Sequence, residues 1–381
     1  MPIGRPSDST RVGLFLACFF AAGAILTAYL PLWLADRGLD AALIGTVLGV
    51  ASLARVAAVP VWGWTADRLG RHRASLAAAA SVAAISAALL APTRGAAAIA
   101  VLVVGGGVAA AALAPLCDAV TLAFSAAGRL DYGRTRAWGS VSYMLATAGA
   151  GALLGRFGTA VVPWLLAAGY GAAAGLTAAI PRPPTIAARR LAVAPLGRAF
   201  RAALAATALT QGSHAAYYAF ASLHWRAAGI SDATIGLLIA EGIVAEVALF
   251  VWGARLVDWL GPARLTGIAA SACLLRWSLT AVTTAVPLLA AIQLLHAATF
   301  ACQHLSNMLV LRTLPPPRAA FAQTILAAIG FSAPTGIMIW VVGQFYASAG
   351  GGVFLLMAGL GGAALLVTRF LPGGLAVRPR P

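Results

Sequence analysis

The chain has 381 residues, of which 61% are hydrophobic and only 9% charged, with a formal net charge of +16. Apolar runs that recur from end to end exclude a soluble globular protein and point to a polytopic helical membrane protein. The positive charge does not indicate nucleic acid: all 26 residues counted as Lys+Arg are arginine, spaced between apolar segments, which is a topology signal.

Arg5 and Arg11 lead straight into a segment of about 22 apolar residues, without the short apolar core and cleavage box of a removable signal. The first helix is therefore expected to stay. A window near 20 residues places twelve spans, at about 11–34, 41–65, 74–92, 96–126, 131–155, 160–180, 199–225, 232–257, 264–284, 286–312, 319–347 and 349–371. Twenty arginines fall on the side shared by both termini, and four, Arg37, Arg94, Arg156 and Arg226, on the other. Arg55 and Arg276 are mid-span. By the positive-inside rule both termini are cytoplasmic, in a multi-pass protein of a bacterial inner membrane.

The segment Pro181 to Gly197 is the longest polar interruption. It divides the chain into a six-helix bundle (1–180), a cytoplasmic linker (181–197) and a second six-helix bundle (198–381). The halves repeat at an offset of 191 residues: Gly38 meets Gly229, Ile44-Gly45 meets Ile235-Gly236, Asp67 meets Asp258, Gly70 meets Gly261 and Gly139 meets Gly330. Six spans per half give both copies one orientation, so the expected fold is all-α, with a pseudo-twofold axis along the membrane normal and a site between the halves. The same offset sets Arg55 against Glu246, either as a gate or coupling pair or as two unrelated charges.

Within this frame, Asp118 and Arg136 carry the first candidate site. With a turn near residue 127 each is nine residues from it, roughly 13 Å into the apolar layer. An acid and a base at equal depth need a partner or a cargo. They read as a buried ion pair that fixes two helices, or as a substrate site. Cys18, Cys117, Cys273 and Cys302 lie on four different spans with no paired spacing, so they form neither a disulfide frame nor a metal motif. The run Val103-Val-Gly-Gly-Gly-Val lacks the setting of a nucleotide loop and reads as close helix packing.

In the tenth span Gln293, His296, Thr299 or Phe300, Gln303, His304 and Asn307 recur at three to four residues and share a stripe. His296 is a proton-linked residue or a hydrogen-bonded core histidine. In the seventh span Gln211, His214, Tyr217 and Tyr218 follow the same spacing, offering ring faces to an aromatic cargo or forming a packing stripe. Glu241 and Glu246 differ by about 140° around their helix and cannot share a face. Glu246 is nearer mid-span, where desolvation lets a carboxylate load and release protons.

The loop after the second span, Gly63-Trp-Thr-Ala-Asp67-Arg68-Leu-Gly70-Arg71-His-Arg73, matches the G-x-x-x-D-R-x-G-R pattern of the major facilitator superfamily. Gly63 would allow close helix packing, Asp67 would accept at a helix N-terminus or pair with an arginine, and Gly70 would turn the chain. The copy from Gly253 to Arg264 is degenerate. The sequences Pro115-Leu-Cys-Asp118-Ala, Asp131-Tyr-Gly-Arg-Thr-Arg136-Ala-Trp-Gly-Ser-Val, Gln211-Gly-Ser-His214-Ala-Ala-Tyr217-Tyr218 and Leu295-His296-Ala-Ala-Thr299-Phe300 resemble the 3-phenylpropionate permease group of that superfamily, over nearly the whole chain. More distantly the chain is similar to lactose-permease-type proton symporters. Asp118 and Arg136 fall on their sugar-binding Glu and Arg, and Arg276 and His296 on their arginine and histidine near the proton site. Their tenth-span carboxylate is Thr299 here, and their eighth-span acid is Ile243, with Glu246 one turn away.

The resemblance implies a proton-coupled symporter of a small organic acid, aromatic in character, that alternates access between two bundles. The acid would be held by Arg136 or Arg276, with Asp118, His214, Tyr217 and Gln293 lining the site and Glu246, His296 and Arg55 coupling the proton. Gly63, Asp67, Arg68, Gly70 and Arg71 would form the gating motif. No cofactor or metal is expected beyond protons as coupling ion. The expected partners are the solute and the bilayer, with no nucleic acid and a functional monomer. Sugar or nucleoside symport, drug efflux, uniport and a non-transporting sensor remain open. A membrane enzyme is disfavoured, since no nucleophile-base pair appears.

Overall fold

The computed structural model describes residues 7–183, 196–252 and 254–372. Most of the expected linker, including Arg189 and Arg190, lies outside them, as do Arg5, Arg378, Arg380 and the side chain of Asp258. Among the described residues the chain is helical and contains no strand. The first six segments are α1 (Asp8–Asp36), α2 (Ala41–Leu69), α3 (His72–Leu90), α4 (Ala96–Ala126), α5 (Tyr132–Phe157) and α6 (Val162–Leu176). The seventh is broken into α7 (Arg198–Gly212) and α8 (Ala215–Ala227), and the eighth is α9 (Asp232–Trp252). The ninth is α10 (Ala254–Val282), kinked at Gly261. A π-helical stretch, Ala297–Cys302, joins α11 (Val286–His296) to α12 (Gln303–Arg312) as the tenth. Another, Leu326–Ser332, joins α13 (Pro316–Ile325) to α14 (Ala333–Ala349) as the eleventh, and α15 (Val353–Val367) is the twelfth.

Nine stretches of the described chain are long and apolar enough to cross a membrane. One of them, Phe321–Phe370, has 50 residues, enough at 1.5 Å per residue for two crossings of about 30 Å. The other two crossings are α5, which is polar at its start, and the broken seventh segment, whose pieces are short. The twelve-span reading therefore holds.

The repeat is visible in local geometry. Gly38 and Gly229 end α1 and α8 with φ of +83° and +84°, a left-handed turn that only glycine adopts without strain. In each copy an N-cap follows at once: Asp40 accepts from Leu43 N at 2.8 Å and Ser231 from Thr234 N at 3.2 Å. Gly70 and Gly261 likewise share positive φ, +60° and +69°.

The chain separates into two compact units, Met1–Ala188 with Ser231–Ala240, and Arg189–Ile230 with Glu241–Pro381. In the first, α1 packs on α5 and α6, α3 on α4 and α6, and α2 on α4. Small residues let these backbones approach. A Cβ on Gly106 would stand 2.9 Å from Ser86 Cβ, as the Val103–Val108 run led us to expect, and one on Gly169 would stand 2.9 Å from Ala22 Cβ. In the second unit α10 packs on α12 and α15, and α7 on α14, α15 and the second π stretch.

Candidate functional site

The first unit holds Asp118 and Arg136. α4 ends at Ala126 and α5 begins only at Tyr132, capped by Asp131, which accepts from Arg134 N at 2.6 Å. The centre of this connection is nearer residue 129 than 127, so Arg136 is about one helical turn, roughly 6 Å, shallower than Asp118. The equal-depth expectation is corrected accordingly. The two charges form no ion pair: Asp118 accepts from the Tyr132 hydroxyl at 3.3 Å, while the Arg136 guanidinium stacks 4.1 Å over the Phe20 ring. Gly139 makes this possible, because a Cβ there would stand 2.6 Å from the Phe20 ring and 2.9 Å from Arg136 Nη1. Arg136 is half-buried and, among the described residues, makes no salt bridge, although Asp118 is near enough to interact with it electrostatically. A cation held by its face on an aromatic ring keeps its N–H edge available to a carboxylate.

The motif after the second span is ordered differently from expectation in two respects. His72, at the start of α3, reaches Asp67 with its Nε2 2.8 Å from Oδ1, so the acid's partner is this histidine rather than an arginine. Gly63 has open space where a Cβ would be, so it is not a point of close packing. Gly70 does turn the chain, with its N–H and that of Arg71 donating to Asp67 O and Ala66 O, each at 3.2 Å. Arg68 lies 5.0 Å over Trp64, and both Arg68 and Arg71 are exposed. Arg55 lies in the middle of α2 in the first unit, whereas Glu246 belongs to the second.

The second unit gathers His214, Tyr217, Arg276, Gln293, His296 and Glu246 into one hydrogen-bonded cluster. Arg276, fully buried, donates from Nη1 to His296 Nδ1 at 2.9 Å and Thr299 Oγ1 at 3.2 Å, and from Nη2 to Gln293 Oε1 at 3.0 Å. The rings of Tyr217 and Trp277 lie beside it, with centroids 4.7 and 4.5 Å from its Cζ. Gln293 in turn donates to the Tyr217 hydroxyl at 2.8 Å. A guanidinium can only donate, so His296 Nδ1 is an acceptor and its proton sits on Nε2. That nitrogen donates to Glu246 Oε2 at 3.2 Å. The imidazole therefore stands neutral between an arginine and a carboxylate. Gly242 brings α9 close enough for this, since a Cβ there would stand 3.3 Å from His296 Cβ.

Two stripes are corrected. The seventh segment is not one continuous helix: α7 ends at Gly212, and Ser213 Oγ and His214 Nδ1 both donate to the Thr210 carbonyl, at 2.6 and 2.8 Å. These side chains replace the backbone bond lost at the break. In the tenth segment the π-helical stretch shifts the register. Gln293, His296, Thr299, Gln303 and Asn307 are buried, whereas His304 is exposed and leaves the stripe.

The sequence reading missed Tyr132, Phe20 and Trp277. Tyr132 stood inside the quoted Asp131-Tyr-Gly motif and Trp277 beside Arg276, so neighbourhood to a flagged charge was the available signal. Phe20 carried none.

Comparison with known proteins agrees with the fold. A model of the MFS_1-like family matches residues 10–183 and 197–356. The chain is 30% identical over 361 residues, 92% of its own length and 95% of the relative's, to the "Probable 3-phenylpropionic acid transporter" of Escherichia coli (strain K12). It is 26% identical over 280 residues, 72% of the chain and 71% of the relative, to the maltose permease of Geobacillus stearothermophilus. Among solved structures, the nucleoside transporter NupG matches with a TM-score of 0.79 at 16% identity, covering 96% of this chain and 98% of that one. The xylose transporter XylE from E. coli matches in its inward-open conformation with a TM-score of 0.72 at 14% identity, over 97% and 96% of the two chains. The protein is a multi-pass membrane transporter that belongs to the MFS_1-like family of the major facilitator superfamily.

Proposed function

We propose that the protein is a proton-coupled symporter that takes up a small aromatic carboxylic acid of the 3-phenylpropionate type by alternating access. The observation that carries this reading is the difference between its two site arginines. Arg276 is enclosed by two aromatic neighbours and three acceptors, whereas Arg136 is half-buried on Phe20 with its N–H edge unspent. Arg136 is thus the cation for the carboxylate, with Asp118 and Tyr132 beside it. The half-buried ring of Phe20, beside Arg136 in the same unit, suits an aryl tail.

Coupling is assigned to Glu246. It is partly exposed, at 17% of its side-chain area, and ends the chain that runs through His296 to Arg276. Protons are the coupling ion, and no further cofactor is required. The protein works as a monomer in a bacterial inner membrane with both termini in the cytoplasm, which the arginine distribution supports.

The test is uptake of labelled 3-phenylpropionate by purified protein in proteoliposomes, with and without an inward proton gradient. Concentrative uptake is expected only with the gradient, and Arg136→Gln should abolish binding. Uptake indifferent to the gradient would reject proton coupling. Failure to bind any aryl acid would reject the substrate class.

A further inference from the structure

His214 was expected to line the substrate site, yet it is fully buried and both of its ring nitrogens are engaged. Nδ1 lies 2.8 Å from the Thr210 carbonyl, which can only accept, so this nitrogen carries a proton. With the ring neutral, Nε2 is an acceptor, and the hydroxyl in reach is that of Thr299 at 3.1 Å. Thr299 is also fully buried and has one hydrogen to give. The His296 carbonyl is its alternative acceptor, likewise at 3.1 Å. Two acceptors at equal distance compete for a single proton, and Arg276 Nη1 donates to the same oxygen. Thr299 therefore sits at a fork with two discrete hydrogen-bond arrangements.

One prong of the fork leads to the break in the seventh segment. The Thr210 carbonyl, stripped of its backbone partner there, is held by His214 Nδ1 and Ser213 Oγ, and Ser213 in turn accepts from Trp277 Nε1 at 3.0 Å. The other end of the chain is the pair of His296 and Glu246. Around His214 the rings of Tyr218, Trp277 and His296 lie at 5.7, 5.2 and 5.9 Å. The charged and titratable groups facing it are thus Arg276, His296, Tyr217, Tyr218 and Cys273, with Glu246 beyond His296.

We propose that His214 is a positioning residue: through Thr299 it ties the Glu246–His296–Arg276 chain to the break at residues 210–214. The inference rests on the reading of Glu246 as proton carrier. Neutralising Glu246 weakens its hold on His296 Nε2–H, and Arg276 then redistributes its donors. Its Nε–H is buried and has no hydrogen-bond partner among the described residues, so it has a donor to re-aim. The Thr299 hydrogen changes acceptor, and His214 tightens or loosens the broken segment. A helix discontinuity at membrane depth is a place where a transporter can bend at low cost.

The test is hydrogen exchange, followed by mass spectrometry, on full-length protein in lipid nanodiscs, read on a peptide covering residues 209–218. Glu246→Gln, a mimic of the protonated carrier, should change exchange there by about threefold or more. Thr299→Val should erase that response, and Thr299→Ser, which keeps the hydroxyl, should restore it. In proteoliposomes Thr299→Val should lower gradient-driven accumulation about tenfold while substrate exchange stays within about twofold. The link is overturned if Glu246→Gln abolishes accumulation but leaves exchange at 209–218 unchanged, or if Thr299→Val accumulates like wild type; the proton reading then stands alone. If Glu246→Gln itself accumulates substrate normally, the proton reading fails and takes the link with it.

Discussion

If Arg276, His296 and Glu246 act as one electrostatic unit, removing either end should cost more than removing the second end afterwards. Arg276→Gln takes away donors to His296 Nδ1, Thr299 Oγ1 and Gln293 Oε1. Of these acceptors, His296 Nδ1 is left buried and unsatisfied, at about 1–3 kcal/mol. The substitution also leaves Glu246 without its cation, and breaking a buried charge relationship from one side typically costs ~3–5 kcal/mol. Because Glu246 is partly exposed and reached only through the imidazole, the charge component should lie below that range, at about 1–3 kcal/mol. Glu246→Gln removes the same component from the other side. The double substitution should therefore be less destabilising than the sum of the singles by about 1–3 kcal/mol, the size of a close-contact coupling. Reversible unfolding in mixed detergent micelles, run as a double-mutant cycle of Arg276→Gln and Glu246→Gln and repeated in a His296→Gln background, measures it. Additivity within about 0.5 kcal/mol would refute the argument, because it would mean that His296 does not transmit the charge of Glu246 to Arg276.

Three other outcomes are expected. Arg136→Gln should weaken aryl-acid binding by ~1.5–3 kcal/mol, about 10–150-fold, the worth of hydrogen bonds to a charged group, and a charge-swapped Asp118/Arg136 double substitution should stay inactive in equilibrium binding; restored transport in the swap would instead make the two a structural ion pair. Gly242→Leu should cost ~1–3 kcal/mol of overpacking and impair gradient-driven accumulation more than binding, since it pushes α9 off His296; unchanged accumulation would remove Glu246 from the coupling chain. Tags on either terminus should be accessible only from the cytoplasmic side of sealed vesicles, and a periplasmic C-terminus would overturn the orientation.

The helices were legible because most carry an apolar run near the bilayer length, joined at α1, α2, α5 and α9 by a capping Asp or Ser and at several turns by a glycine of positive φ. The repeat at 191 residues survives in the structure as matched left-handed glycines, Gly38 with Gly229 and Gly70 with Gly261. The breaks were not legible. The spacing of Gln211, His214, Tyr217 and Tyr218 assumed 3.6 residues per turn through a point where Gly212, Ser213 and His214 abandon it, and the tenth segment was read without its π-helical stretch. At both irregularities a side chain bonds a carbonyl three or four residues back, Ser213 and His214 to Thr210 and Thr299 to His296, and hydrophobic periodicity does not register such local bonds. Of the two readings of Asp118 and Arg136, a buried ion pair or a substrate site, the structure shows no salt bridge between them. Opposite charges near one turn suggest an ion pair, but the choice between Phe20 and Asp118 as the arginine's neighbour depends on Gly139 having no Cβ.

The placement of the carboxylate gives the cluster its logic. The lactose-permease-type symporters that the chain distantly resembles carry an acid at the position of Thr299, and Thr299 Oγ1 lies 3.2 Å from Arg276 Nη1. An acid there would face the guanidinium directly, and a buried pair of that kind resists protonation because the arginine would be stranded. With threonine at that point and the acid on α9, a neutral imidazole separates the two charges. Arg276 has the Gln293 and Thr299 acceptors and two aromatic neighbours within reach, so it stays paired as it re-aims its donors when Glu246 is neutralised. The carboxylate can then gain and lose its proton without uncovering an unpaired cation, and the cost of that cycle falls on the hydrogen bonds of His296 and Thr299. Those bonds have two settings of similar geometry, which is the condition for a small local change to be passed on rather than absorbed.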